Sequence, residues 1–179
     1  EAATDAVTKL KQATEALKEN YKPDVFSIAT PLPSHFPIFN EALTLHPKAI
    51  ICEKPLAEDS NEALQMIDAT ETSNCVVIVN YLRRFNPAVI KLKEKIENGD
   101  FGEIYKITAW YTKGIQENGS HFIDLFNFLL GQVKSFKILK TGRKWNNYDP
   151  EPDLFISFGD TEVYMFAGKE ECYYMGGFE

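Results

Sequence analysis

Apolar positions over residues 5–80 follow two rhythms in turn. Val7, Leu10, Thr14 and Leu17 recur at helical spacing among Lys and Glu, which predicts an amphipathic helix over 5–19. Tyr21-Lys22-Pro23-Asp24 ends it, because proline cannot continue a helix. Val25-Phe26-Ser27-Ile28-Ala29 is a short apolar run closed by Thr30-Pro31 and reads as a buried strand. A helix is predicted over 36–45, then a second strand at Ala49-Ile50-Ile51-Cys52. Asp59-Ser60-Asn61-Glu62 has the form of a capping box and opens a helix with Leu64, Ile67 and Thr70 on one face. The β-branched run from Cys75 to Val79 is a third strand. Strands that are apolar throughout and alternate with helices predict a doubly wound parallel sheet covered on both faces.

Beyond residue 80 the rhythm changes. Asn86-Pro87 supplies an N-cap and a first-turn proline for a helix that turns Val89, Leu92 and Ile96 inward and stops at Gly99. Residues 104–112, 133–141, 153–158, 161–168 and 171–176 alternate or carry aromatics, predicting a mainly antiparallel sheet. One helix interrupts it over 120–130, with Phe122, Leu125, Phe126 and Leu129 as its core stripe and Gly131 as its stop. Tyr148 to Asp153 reads as a polar loop. The expected class is α/β, with a doubly wound half at 1–82 and an α+β half at 83–179.

Composition narrows the function classes. In 179 residues, 44% apolar and 25% charged content is globular, not disordered or fibrous. No apolar run is long enough to span a bilayer, and no signal-peptide pattern opens the chain, so a soluble cytoplasmic protein is expected. The net charge of −7 is spread along the chain: residues 1–100 hold 11 basic and 15 acidic side chains, and 101–179 hold 8 and 11. With no basic face, nucleic acid is not an expected partner. Cys52, Cys75 and Cys172 are too few and too irregular for a metal framework.

In a doubly wound sheet, ligands sit beyond the carboxyl ends of the strands. Those ends are Thr30-Pro31, Glu53-Lys54-Pro55 and Asn80-Tyr81. A lysine there is either a solvated turn residue or a partly desolvated group that hydrogen-bonds a substrate hydroxyl and passes its proton. Lys54-Pro55 is a candidate cis bond. His35 lies close enough in sequence to face the same crevice, whereas His46 beside Pro47 is expected to be exposed. His121 and Asp124, spaced i, i+3, share a helix face. That face is either a solvated surface or the wall of a cleft in which His121 is acid, base or hydroxyl anchor, approached by the polar segment Gly114, Glu117, Asn118, Gly119. No third ligand stands at helical spacing, so no metal is expected. Arg83 and Arg84 are either paired with carboxylates or clamp an anion.

Four motifs stand in one order: Ser27-Ile28-Ala29-Thr30-Pro31 with His35; Cys52-Glu53-Lys54-Pro55-Leu56; Asn80 to Phe85, followed by Gly102-Glu103-Ile104; and Asn118 to Asp124. Over about residues 5–140, more loosely beyond, the chain resembles the glucose-fructose oxidoreductase and inositol dehydrogenase family of nicotinamide-dependent oxidoreductases. The resemblance implies a partial Rossmann domain followed by an α+β domain whose open sheet forms homodimers or homotetramers. It implies hydride transfer between NAD or NADP and a hydroxyl carbon of a sugar, nucleotide sugar or cyclitol. Lys54 and His121 would contact the reacting hydroxyl, His121 as proton acceptor. Thr30, Pro31, His35, Glu53 and Lys54 would line the cofactor, with Asn80 near the nicotinamide and Arg84 near cofactor or substrate. Glu117, where many relatives have Asp, and Asn118 would meet the substrate. All ten glycines lie at Gly99 or later, so the family's glycine-rich dinucleotide loop is missing from these residues. A piece of a longer oxidoreductase is therefore expected at both ends. The alternative is a binding or regulatory module that kept the fold without the loop.

Overall fold

The protein is described here by a computed structural model that covers residues 2–18 and 22–169. Its chain divides into two compact units, Glu1–Asn80 and Tyr81–Glu179. The strand expected at 171–176 lies outside the described residues.

The first unit alternates helix and strand as expected: α1 (Ala2–Lys18), β1 (Val25–Ile28), α2 (His35–Leu43), β2 (Ala49–Cys52), α3 (Ser60–Ser73) and β3 (Val76–Val79). The strands pair in parallel in the order β1-β2-β3, with Ile28 opposite Cys52 and Cys52 opposite Val79. One face of this sheet is buried. Ile28, Ile50 and Cys52 pack with Ile38, Phe39 and Ala42 of α2 and Met66 of α3. The expectation of a sheet covered on both faces does not hold within this unit, because Val25 and Val76 are 56% and 60% exposed. Strands in sequential order joined by right-handed crossovers receive all their helices on one side.

Asp59 caps α3, its side chain accepting from the N–H groups of Asn61 and Glu62 at 2.8 and 3.0 Å. The return bond of the box goes to the N–H of Glu58, at 3.2 Å. The buried stripe of α3 is displaced from the one expected. Met66 is enclosed with Ala69 against it, while Leu64 and Ile67 are exposed.

The second unit opens with α4 (Pro87–Glu97), capped by Asn86, which accepts from the N–H of Ala88 at 2.9 Å. No residue of α4 is buried, and Leu92, expected inward, is exposed. The sheet comprises β4 (Lys106–Tyr111), β5 (Ser135–Lys140), β8 (Asp153–Phe158) and β9 (Thr161–Ala167), in the order β4-β9-β8-β5. It is mixed: β5-β8 and β8-β9 are antiparallel and β4-β9 is parallel. Its inner face joins Tyr111, Val163, Met165 and Ile156 to Phe122 and Phe126 of α5 (Ser120–Leu130). The outer face carries an aromatic row, with ring centroids 5.3 Å apart for Trp110–Phe166 and 5.4 Å for Phe155–Tyr164.

Two elements were not foreseen. Gly114–Gly119, expected as a pliant approach to α5, is a π-helical turn. The supposed polar loop contains β7 (Asp149–Pro150), which pairs antiparallel with β6 (Lys144–Trp145). Asn146 and Asn147 both have positive φ, 48° and 64°, and close this hairpin. Asn tolerates the left-handed region because its short side chain hydrogen-bonds locally.

Candidate functional site

The carboxyl ends of β1, β2 and β3 assemble the first group of residues. Parallel pairing continues one residue past the strands: the N–H of Glu53 donates to Ile28 O at 2.9 Å and that of Asn80 to Cys52 O at 2.8 Å. This fixes Glu53 and Asn80 side by side, and Asn80 Nδ2 donates to Glu53 Oε1 at 2.6 Å. Lys54 follows, half-buried, with a cis bond to Pro55. Thr30 lies two residues beyond β1, and its Oγ1 accepts from the Ser34 hydroxyl at 2.8 Å. Thr30, Glu53, Lys54 and Asn80 are thus brought to one edge of the sheet, with Pro31 just beyond.

His35 sits differently from the lining place expected for it. It is 1% exposed, with Nε2 2.8 Å from Thr30 O and Nδ1 3.0 Å from Pro55 O. Both partners are acceptors, so a neutral ring, with one N–H, hydrogen-bonds only one of them. The imidazole links the turn after β1 to the turn after β2 and supports the cluster through backbone atoms.

Cys52 lies beneath this edge, fully buried, its Sγ 3.6 Å from His35 Nδ1. Burial, then the Glu53 charge, pushes its thiol from 9.0 up to about 11. A raised thiol pKa means less thiolate at a given pH, here about a hundredfold less at pH 8. Iodoacetamide at pH 8 is therefore expected to leave Cys52 unmodified in the native protein and to label it in urea. Peptide mass spectrometry reads the outcome, and native labelling of Cys52 at the rate of a small free thiol would refute it.

The second group lies within the second unit. His121 stands in the first turn of α5, with the Tyr81 ring edge-on to it at 5.8 Å between centroids. Burial pushes the Tyr81 phenol up, against a hydrogen bond with Ser120 that lowers it. Asp124, expected to share a face with His121, is buried and ion-paired with Arg84, whose Nε donates to Oδ2 at 3.1 Å. Arg84 also lies over the Phe128 ring, 5.7 Å from its centroid. That guanidinium holds the 82–85 turn to α5, so of the two readings Arg84 takes the carboxylate pair. Arg83 Nη2 donates to Asn118 Oδ1 at 3.4 Å, and Asn118 Nδ2 donates to Thr112 O at 3.0 Å.

Glu117, on the π-helical turn, is held at both backbone and carboxylate. Asp149, fully buried, accepts from its N–H at 2.9 Å and from that of Gln116 at 2.9 Å. Trp145 Nε1 and the Tyr148 hydroxyl both donate to the Glu117 carboxylate at 3.3 Å. Burial pushes the Asp149 carboxyl up, and the N–H groups of Gln116 and Glu117 pull it back. Glu151, also fully buried, accepts from the N–H of Gly114 at 3.2 Å and pairs with Arg143 at 2.7 Å. Trp145, Tyr148 and Asp149 had not been singled out. The signal available was Asn146-Asn147 between two aromatics, a tight-turn pattern weaker than Asn-Gly. Among the described residues no group of three His, Cys, Asp or Glu side chains is arranged to hold a metal, and no helix is long and apolar enough to cross a membrane.

A strand-end cluster on a parallel sheet is where a dinucleotide fold binds its cofactor. Residues 1–81 match the model of the oxidoreductase family with an NAD-binding Rossmann fold. Over those residues the chain is similar to the Rossmann half of this family. Inositol 2-dehydrogenase of Rhodococcus jostii is 34% identical over 166 residues, a match covering 81% of this chain and 45% of that enzyme. Levoglucosan dehydrogenase of Pseudarthrobacter phenanthrenivorans is 33% identical over 133 residues, covering 62% and 34%. The chain thus spans less than half the length of these relatives. Among solved structures, a levoglucosan dehydrogenase in complex with NADH and levoglucosan superposes with a TM-score of 0.72 at 24% identity, covering 86% of this chain and 50% of that one. An oxidoreductase from Agrobacterium radiobacter in complex with NAD+, L-tartaric acid and magnesium gives 0.72 at 20%, covering 84% and 49%. At these identities the superpositions establish the fold, a Rossmann-like parallel sheet followed by a mixed sheet.

Proposed function

We propose that the protein to which this chain belongs is an NAD-dependent dehydrogenase acting on a secondary hydroxyl of a cyclic polyol or sugar. The observation that carries this reading is the strand-end cluster of Thr30, Glu53, Lys54 and Asn80 in a chain whose residues 1–81 match an NAD-binding oxidoreductase family. The cluster's donor set suits the nicotinamide half of the cofactor. Glu53 keeps one oxygen on Asn80 and offers a second to a ribose hydroxyl, while Thr30 and the Pro31 backbone add short polar contacts. Residues 1–98 contain no glycine, so they offer no glycine loop for the pyrophosphate.

The bound nicotinamide would accept the hydride. Lys54 is assigned to the substrate hydroxyl as a charged hydrogen-bond donor that stabilises developing alkoxide character. His121 is assigned the hydroxyl proton, which a neutral imidazole accepts as general base. Glu117 and Asn118 are assigned to neighbouring hydroxyls. His35 and Arg84 act through the turns they hold. The aromatic outer face of the second unit, Trp110, Phe155, Tyr164 and Phe166, is assigned to a second copy of the chain, since a row of this kind is costly to leave in water.

The test is steady-state cofactor reduction by the full-length protein with NAD and a panel containing myo-inositol, levoglucosan and glucose, on samples whose mass is read by light scattering. Stoichiometric NADH and ketone from at least one cyclic polyol, in a dimer or larger assembly, is expected. Absence of cofactor reduction across the panel would overturn the activity, and a monomer would overturn the assembly.

A further inference from the structure

The β6-β7 hairpin makes more contact with one side chain than a connecting loop needs to. Three of its residues converge on Glu117: Asp149 takes its backbone N–H at 2.9 Å, and Trp145 and Tyr148 donate to its carboxylate at 3.3 Å. The hairpin is anchored independently of Glu117. Glu151 binds the N–H of Gly114, and Arg143 joins Glu151 to the carbonyl of Gly168 at 2.7 Å. Tyr111 Oη donates to Pro152 O at 2.6 Å, tying the same segment to the sheet. A rigid strip therefore sets the direction of a carboxylate that is itself only half-buried.

A carboxylate carries about four lone-pair directions, more than the Trp145 and Tyr148 donors take up. Trp145 is half-buried and Tyr148 is 55% exposed, so two aromatic rings stand around that capacity. Acceptors for hydroxyls beside an aromatic face suit a ring polyol, which presents hydroxyls at its rim and C–H groups on its faces. An acyclic polyol has no such face to lay on the indole.

We propose that the β6-β7 hairpin is the substrate-recognition element of this protein, Trp145 and Tyr148 orienting Glu117 as the acceptor for ring hydroxyls and giving the C–H face of a cyclic polyol an aromatic wall. The inference rests on the dehydrogenase reading above. Trp145 and Tyr148 are specificity-determining residues in it, and the hydride and proton steps are left to other groups.

The chain has two tryptophans, and Trp110 lies on the outer face of the sheet. Trp110→Phe leaves Trp145 as the one indole of these 179 residues, and the part of the emission that Trp145→Phe removes reports on the hairpin without turnover. The full-length Trp110→Phe protein, loaded with NADH, would be titrated with myo-inositol, levoglucosan and, as an acyclic control, glycerol. Turnover with NAD would be measured in parallel. A saturable emission change with a ring polyol and none with glycerol is expected. Tyr148→Phe should raise the half-saturation point and KM about tenfold, the loss of roughly one hydrogen bond to a charged group, with kcat within about threefold. Trp145→Phe, which keeps a ring, should retain the preference for cyclic over acyclic polyols, and Trp145→Leu should abolish it. If ring polyols are oxidised but leave the Trp145 emission and these ratios unchanged, the hairpin inference falls while the activity stands. Emission changes without turnover would keep the recognition element and overturn the dehydrogenase reading. Neither signal would overturn both.

Discussion

Lys54→Met and His121→Ala are each expected to lower kcat/KM of the full-length protein, in the proposed dehydrogenase reaction, about 10²- to 10⁴-fold, the range for losing a positioned acid or base group. In barrier height that is roughly 3–5 kcal/mol. Both side chains are assigned to the reacting hydroxyl, so their contribution belongs to the transition state, where the oxygen carries more negative charge than in the bound alcohol. The loss should therefore appear in kcat, with KM for the polyol changed less. Lys54→Arg separates charge from geometry. It keeps a cation beside Glu53 but replaces a compact ammonium on a flexible stem by a planar fork, and it should remain at least about tenfold below the parent. The double variant should lose much less than the product of the single losses, because groups that act as a unit are not additive. Either single variant within about threefold of the parent would remove that residue from the chemistry.

Gly114→Ala is expected to destabilise the protein by about 2–5 kcal/mol, through two effects. Gly114 has φ +82°, a left-handed conformation that costs a residue with a Cβ about 1–2 kcal/mol. The added methyl would also overlap the carboxylate of Asp149. Asp149 is fully buried and accepts from the N–H groups of Gln116 and Glu117, so moving it breaks bonds that satisfy a buried carboxyl, at about 1–3 kcal/mol. Gly99→Ala is the control. Its φ is +76°, yet nothing lies within 4 Å of the new methyl, so it should incur the backbone cost alone. Urea unfolding of both variants measures the difference, and equal losses would show that the close approach to Asp149 carries no energy. Because the affected contacts hold Glu117, Gly114→Ala should also weaken ring-polyol affinity in whatever fraction remains folded, and Gly99→Ala should not.

Much of the fold could be read directly from local pattern. The parallel strands at 25, 49 and 76 are continuous β-branched or apolar runs, and helices α3 and α4 begin at side chains that cap them, α4 with a first-turn proline as well. Periodicity failed where burial depended on what lay opposite. In α3 the residue that faces the sheet is Met66, not Leu64 or Ile67, because helical spacing defines a stripe but not which stripe is covered. The sheet's uncovered face had the same cause. An apolar strand reads alike whether helices lie on one side of it or on both.

The candidate site divides along the same line. Glu53 and Asn80 were legible because each follows directly on a strand, whose end fixes the place of the next residue to within one bond, and Lys54 comes one residue later. Motif order alone pointed to a resemblance with a nicotinamide-dependent oxidoreductase family, and the match over residues 1–81 bears that resemblance out. Sequence could not foretell that Arg84 closes on Asp124, that His35 turns inward onto two carbonyls, or that Trp145, Tyr148 and Asp149 gather around Glu117. Those partners stand 20 to 40 residues apart, or five in the case of His35 and Thr30, where the intervening turn decides the meeting. Local pattern determines which backbone shape each segment takes, since that depends on neighbours a few bonds away. Which polar side chains meet is decided only once the chain has closed on itself, because hydrogen bonds and ion pairs are made over a few ångströms of space whatever their separation along the sequence.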